Sequence, residues 1–535
     1  MNSQSGFPLE VSLYMKFIQG KNREQSILFP ESLDQIIDQD NEVRIIDLFV
    51  ESINISDFKF VVKTTIEGRP AYHPKDLLKL FVYGYLNSIR SSRVLEKECK
   101  RNIEVMWLMK ELAPDHNTIS NFRRDNEKAI RKVFRYTVSI AKQFDLIGGK
   151  LIAGDSTKLR AQNSKKNNFN ERKIERHLAY IDDKLSHYNA ALAEADEDNK
   201  KIIEKEIAKQ NERKDFYNDL TKQLEETGEV QISVSDPDSR QLITRNSITE
   251  VAYNVQTVVD AKHNIPIDYK VTNENDSKAM GAMLRRTKTI LGSNDFTALY
   301  DKGYHTGSEI KTAIDLGIDI MVAIPEVASH APDIKYDVSN FKYDEVKDTF
   351  TCPQGEVLST NGRWYKRDNG KSFRQMKHYK TKACYSCPVN NLCTKNEAGR
   401  LIERSEHAPF IEQNRLNIET NPTTYKKRQA IIEHTYGIIK RQWGFYYILT
   451  KKGIKRASAD VGFMMVVYNL RRLMNILDKN VLKKFLRELG FLFFEIMTST
   501  KAFACNMASP IFTTSRRNLF YKPPHIASKR LIFVC

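Results

Sequence analysis

Cysteine and long apolar runs are what this chain has least of. Seven cysteines are spread through 535 residues. The longest apolar stretch late in the chain, Leu489 to Met497, is less than half of the ~20 residues a spanning helix needs. Met1 to Glu10 has neither the charged start nor the apolar core of a secretory signal. These absences set aside a membrane protein and a secreted one, and make the cytosol the expected compartment. Thiols stay reduced there, so a cluster of cysteines points to a metal site or to plain buried thiols, not to disulfides. Acidic residues are the third shortage: 67 Asp and Glu against 84 Lys and Arg leave a formal charge of +17. Such an excess commonly serves a polyanion. With a membrane surface set aside, nucleic acid is the leading candidate, against the alternative of an ordinary basic protein.

What is present is the composition of a folded protein, with 41% hydrophobic and 10% aromatic residues. The length exceeds what one core normally serves and suggests two or three domains. Residues 1–145 read as helical. Pro74 opens a run to Leu86 whose apolar residues recur at helical spacing, and Ser91-Ser92 can cap a second helix. Polar cap candidates from Pro114 then lead into Ile119, Phe122, Arg123 and Arg124. That is the pattern of a short recognition helix turning Arg123 and Arg124 to DNA; a generic helical bundle accounts for it equally well.

From Lys150 the pattern changes. Leu151 to Thr157 is an apolar run broken by Asp155, and residues 170–228 form a highly charged helical insertion with Leu178, Ile181, Leu185 and Tyr188 at helical-hairpin spacing. Val251–Asp260 and Ile265–Val271 flank a turn as a β-hairpin. A helix near 277–291, a strand Thr297–Tyr300, a helix near 308–316 and a strand Ile318–Ile324 follow. This order predicts an α/β catalytic region over 146–480 with a mixed sheet. Residues 327–420 read as an irregular, cysteine-containing insertion, and long helices are expected from about 423 to 443 and 457 to 477. The tail 481–535 is basic, with no Asp or Glu from Ile496 onward, which suits disorder or DNA association.

Three acidic residues are placed for chemistry. Asp155 and Asp301 each sit at the end of a core strand, and carboxylates at the ends of adjacent strands converge at one sheet edge. Glu433 lies beside Ile431 and Ile432 on a helix expected to pack on the sheet, where a charge needs a partner or a cation. Carboxylate oxygens suit Mg²⁺ or Mn²⁺. Each residue alone is explained as a turn or cap; their order is the informative part.

That order, with Gly154-Asp155-Ser156-Thr157-Lys158, Asp236-Pro237-Asp238, Tyr253-Asn254-Val255-Gln256 and Tyr300-Asp301-Lys302-Gly303-Tyr304, resembles the DDE transposases of bacterial insertion sequences. The resemblance covers residues 20–475. It implies an RNase H-like catalytic domain with catalytic, Mg²⁺- or Mn²⁺-binding Asp155, Asp301 and Glu433, preceded by an all-α DNA-binding domain. It also implies a protein that works on the nucleoid as a homodimer, on double-stranded DNA: the element's terminal inverted repeats and a target. Tyr425, Arg428, Glu433 and Lys440 resemble the YREK signature of one branch, which makes Tyr425, Arg428 and Lys440 candidate DNA contacts. One residue more than the signature spacing separates Arg428 from Glu433, turning them about 140° apart on a regular helix, whereas Lys440 shares the face of Glu433. In that branch an aromatic ring holds a flipped base, and Trp364 and Trp443 are the candidates here.

Cys352, Cys384, Cys387 and Cys393 form a second constellation. A Cys-x₂-Cys pair with two further cysteines is the raw material of a tetrahedral Zn²⁺ site; buried reduced thiols are the alternative. For the whole chain, intact acids at all three positions favour an enzyme. A DNA-binding regulator derived from a transposase without catalysis, or a nuclease that never joins strands, is the competing reading.

Overall fold

The computed structural model describes residues 32–61, 70–244, 248–326, 329, 331–368, 373–449 and 452–490. The expected tail beyond residue 490 and the first 31 residues lie outside them.

The N-terminal region is helical as expected. Asn41 caps the helix Glu42–Glu51 by accepting from the Val43 amide, and Val43, Ile45, Ile46, Phe49 and Val50 make its buried face. Pro74 occupies the first turn of Pro74–Leu86, where its missing N–H costs nothing. Asp115 caps His116–Asp125 through the amides of Asn117 and Thr118. This helix buries Ile119 and Phe122, and Arg123 with them.

The central sheet uses six strands: β1 (Leu151–Arg160), β2 (Arg240–Ile243), β3 (Thr249–Asp260), β4 (Ile265–Thr272), β5 (Thr297–Tyr300) and β6 (Asp319–Val322). β3 runs antiparallel to β1 and pairs β4 and β2 on its other edge, while β5 and β6 add in parallel on the far side of β1. Three antiparallel strands followed by two parallel ones around a central β1 is the RNase H-like arrangement. Val255, Val258 and Val259 with Ile265 and Ile267 fill β3 and β4. Gly154 is required by packing: a Cβ there would lie 2.1 Å from the Tyr300 ring.

One continuous hydrophobic core joins the N-terminal helices to this sheet, from Ile37 to Leu486. The helix Ile454–Ile476 is the bridge; it is buried along most of its length, and Phe463 stacks on Phe81 at 4.8 Å. A buried polar knot sits beside it. Asp460 accepts from Tyr85 Oη and the Leu449 amide, with Arg90 Nη1 at 3.3 Å and Arg123 Nη1 at 3.8 Å. Asp460→Ala would leave two buried guanidiniums without their anion and should cost about 3–5 kcal/mol; urea unfolding measures this, and a loss under 1 kcal/mol would refute the role.

Both insertions carry regular secondary structure among the described residues. Glu171–Glu194 and Glu197–Thr227 form the expected antiparallel helical hairpin around Phe169, Ile174, Ile181, Tyr217 and Leu220. Residues 327–420, expected to be irregular, contain a five-stranded antiparallel sheet: β7 (Lys342–Asp344), β8 (Thr349–Thr351), β9 (Val357–Asp368), β10 (Phe373–Lys380) and β11 (Ile402–Ser405). The helix Ala408–Thr420 then returns to the central sheet, where Asn414 bonds both the amide and the carbonyl of Val322. Among the described residues no helix is long and apolar enough to cross a membrane.

Candidate active site

β1 and β5 pair in parallel with Ala153 opposite Leu299. Two steps further along that register, Asp155 and Asp301 stand side by side at one sheet edge. The Ser156 amide donates to Asp155 Oδ1 at 2.7 Å and the Gly303 amide to Asp301 Oδ1 at 2.9 Å. Burial, and after it the charge of Asp301, push the Asp155 carboxyl up to about 6 against the pull of Arg428. Arg428 lies against the pair, with Nη1 3.0 Å from Asp155 Oδ2. Burial opposes its charge, but Asp155, Tyr425 and Asp301 more than restore it.

The helix Pro422–Gly437 brings Arg428 there and is tied down on both sides of Glu433. Tyr425 Oη donates to the Tyr300 carbonyl at 3.1 Å, Tyr436 Oη to the Asp155 carbonyl at 3.0 Å, and Ile431 and Ile432 pack on Ala153, Val259, Leu299 and Met321. Glu433 itself is exposed and accepts from Gln429 Nε2 at 2.8 Å. The helix is regular through both residues, so the 140° offset holds, with Arg428 and not Glu433 directed at Asp155. A π-helical stretch, Ile438–Gln442, follows and alters the register. Lys440 is half-buried, with Nζ donating to the Lys158 carbonyl at 3.2 Å. Among the described residues no three histidine, cysteine or carboxylate side chains already stand close enough to hold an ion together.

A second acidic centre, missed in the sequence, borders the first. Asp276 Oδ1 accepts from Asn254 and Gln256 at 2.7 Å each, and Oδ2 from Lys158 Nζ, which also reaches Ser156 Oγ. Burial works to raise the Asp276 carboxyl, but Lys158 and the hydrogen bonds outweigh it and hold it below the usual carboxylate value. A Cβ at Gly303 would lie 3.1 Å from Asp301 Oδ1 and 3.8 Å from Asp276 Oδ2, so this glycine separates the two acids. The available signal was Asn254 and Gln256, alternate polar residues in a fully buried strand.

Arg123 corrects an expectation: its guanidinium points inward to Tyr85 Oη and the Arg90 carbonyl and is not presented to DNA. Arg124 faces outward, paired through two hydrogen bonds with Asp125. Trp443 is half-buried against Phe445 and Tyr468, whereas Trp364 is 48% exposed on the β9–β10 ribbon. That ribbon also exposes Phe373 and carries Lys366, Arg367, Arg374 and Lys377.

A family model described as Transposase domain (DUF772) matches residues 31–125, and one described as Transposase DDE domain matches residues 351–474. Both matches support a DDE transposase of an insertion sequence. The second match contains Glu433, Arg428 and Lys440; Asp155 and Asp301 lie outside both. Among curated proteins nothing matches. Among solved structures, a piggyBac transposase synaptic complex with hairpin DNA is similar at 9% identity and a TM-score of 0.27, over 88% of this chain and 83% of that one. A TM-score that low adds nothing to the assignment.

Proposed function

We propose that this transposase cuts the ends of its element and joins them to target DNA, with Asp155, Asp301 and Glu433 as its catalytic carboxylates. The observation that carries the reading is the Asp155–Asp301 pair: two acids on adjacent parallel strands, one with a raised pKa, facing a guanidinium. Their oxygens are the donor set of a hard divalent ion, and the Arg428 charge beside them marks where positive charge is favoured. Mg²⁺ or Mn²⁺ bound there would supply activation of the attacking water or 3′-hydroxyl and stabilisation of the leaving 3′-oxygen. Asp155 and Asp301 would hold the ion. Glu433 would be the third ligand, on a helix segment anchored by Tyr425 and Tyr436. Asp276, kept ionised by Lys158, holds the neighbouring strand residues in place. The exposed aromatic and basic β9–β10 ribbon faces DNA, with Trp364 the ring that can stack on a base, and Lys440 and Arg428 add phosphate contacts near the site. Two copies act together on paired ends.

The test uses the inverted repeats flanking the coding sequence as a linear duplex. Cleavage followed by strand transfer is expected with Mg²⁺ or Mn²⁺ and none with excess chelator. Binding without cleavage in either metal would favour the regulator, and cleavage without joining the nuclease. Binding should also weaken steeply with salt, because the charge excess implies many phosphate contacts; a flat salt dependence between 50 and 200 mM would contradict that.

A further inference from the structure

The insertion 341–405 has a small core for its length: Phe341, Phe350, Leu358, Tyr379 and Ile402 are the buried residues of its hydrophobic cluster among the described residues. A unit of this kind commonly needs a staple. Four cysteines from three segments line one small cavity, of about 30 Å³, at its edge, together with Tyr336, Phe341, Leu358 and Val389. The turns that carry them are knuckles. Gly355, at φ +88°, closes the first by donating its amide to the Cys352 carbonyl at 2.9 Å, while the Cys352 amide donates to Glu356. In the second, the Cys387 amide approaches the Cys384 carbonyl at 3.4 Å and Asn390 donates to the Cys387 carbonyl. Cys393 ends the short helix Asn390–Cys393, its carbonyl held by Arg400 Nη1 at 3.2 Å. Gly399 passes so close to Cys384 that a Cβ would lie 2.4 Å from the Cys384 Cβ. All four thiols are free and half-buried.

We propose that Cys352, Cys384, Cys387 and Cys393 bind one structural Zn²⁺ that locks the β-insertion. The inference stands independently of the catalytic reading. The four thiols line the cavity without standing at ligating distance, so Zn–S bonds of about 2.3 Å would require the knuckles to close on the ion; soft thiolates select zinc over the hard ions suited to the carboxylate site. The remaining described cysteine, Cys99, is buried alone in the N-terminal region. By tying the β8–β9 turn to the segment between β10 and β11, the ion would fix both strands of the β9–β10 ribbon at its base.

Full-length protein purified without chelator should contain about one zinc per chain. Mercurial titration should release it with loss of four thiols, and cobalt exchange should give the visible absorption of a tetrahedral tetrathiolate. The double variant Cys384→Ser/Cys387→Ser should lose the metal, and Cys99→Ser should keep it. If the double variant does not fold, the wild-type metal content and cobalt spectrum decide alone. Metal-free protein whose four thiols react at once, or whose cysteines are found in disulfides, would overturn the proposal. So would zinc retained in the double variant.

Discussion

Asp155→Asn should abolish end cleavage and, in the same protein, raise its stability at pH 8 by about 1–3 kcal/mol. The two effects share one cause. Burial and Asp301 lift the Asp155 carboxyl from 3.8 to about 6, so the folded protein holds a proton there that the unfolded chain has lost. For a raised acid, the native state is favoured at low pH, and that advantage disappears as pH rises from about 4 to 6. At pH 8 the ionised side chain is a net cost, carried because the ion site needs a charge. Asparagine keeps the shape and removes the cost, so its benefit should be full at pH 8 and vanish near pH 4. Stability is read by urea unfolding at both pH values, and cleavage on the end duplex. Asp301→Asn and Glu433→Gln should also stop cleavage while leaving end binding largely intact. Glu433→Gln should bring no comparable gain, because Glu433 is exposed and bonded only to Gln429 among the described residues. A destabilised Asp155→Asn at pH 8, or full cleavage by any of the three, would break this account.

The strand cores before the two aspartates, Leu151–Ala153 and Thr297–Tyr300, were readable because they are apolar; the continuation of β1 through Asp155 to Arg160 was not, because Ser156, Lys158 and Arg160 are polar. Helical periodicity likewise located the hairpin 171–227 and the bridge Ile454–Ile476. The cysteine insertion was harder. Much of β9 and β10 is exposed and charged, so neither alternation nor apolar content marked them as strands. The helix Ala408–Thr420 was lost among them because it docks by Asn414, a polar clamp that no hydrophobic pattern reports. Arg123 misled for the opposite reason: an arginine on a short capped helix suggests DNA, and only the distant Tyr85, Arg90 and Asp460 reveal it as an interior residue. Asp276 was missed because its partners come from two distant strands, Lys158 on β1 and Asn254 and Gln256 on β3.

The site helix reverses a ranking that the sequence supported. Spacing alone makes Lys440 the residue that shares the Glu433 face and Arg428 the one turned aside. In the folded chain Arg428 contacts Asp155, and Lys440 bonds the backbone of β1. Arg428→Ala should therefore reduce cleavage by about 1–3 kcal/mol, the value of a charge-assisted hydrogen bond, with Lys440→Ala costing less. The pH profile separates this from a structural defect. Cleavage needs Asp155 ionised, and Arg428 is the charge that lowers its pKa. Removing Arg428 should move the acid limb of the rate profile to higher pH, most clearly at subsaturating metal, and Arg428→Lys should restore part of the shift. Lys440→Ala should leave that limb in place. An unshifted limb in Arg428→Ala, with a larger loss of cleavage in Lys440→Ala, would mean that the pairing with Asp155 does not persist in the DNA-bound enzyme.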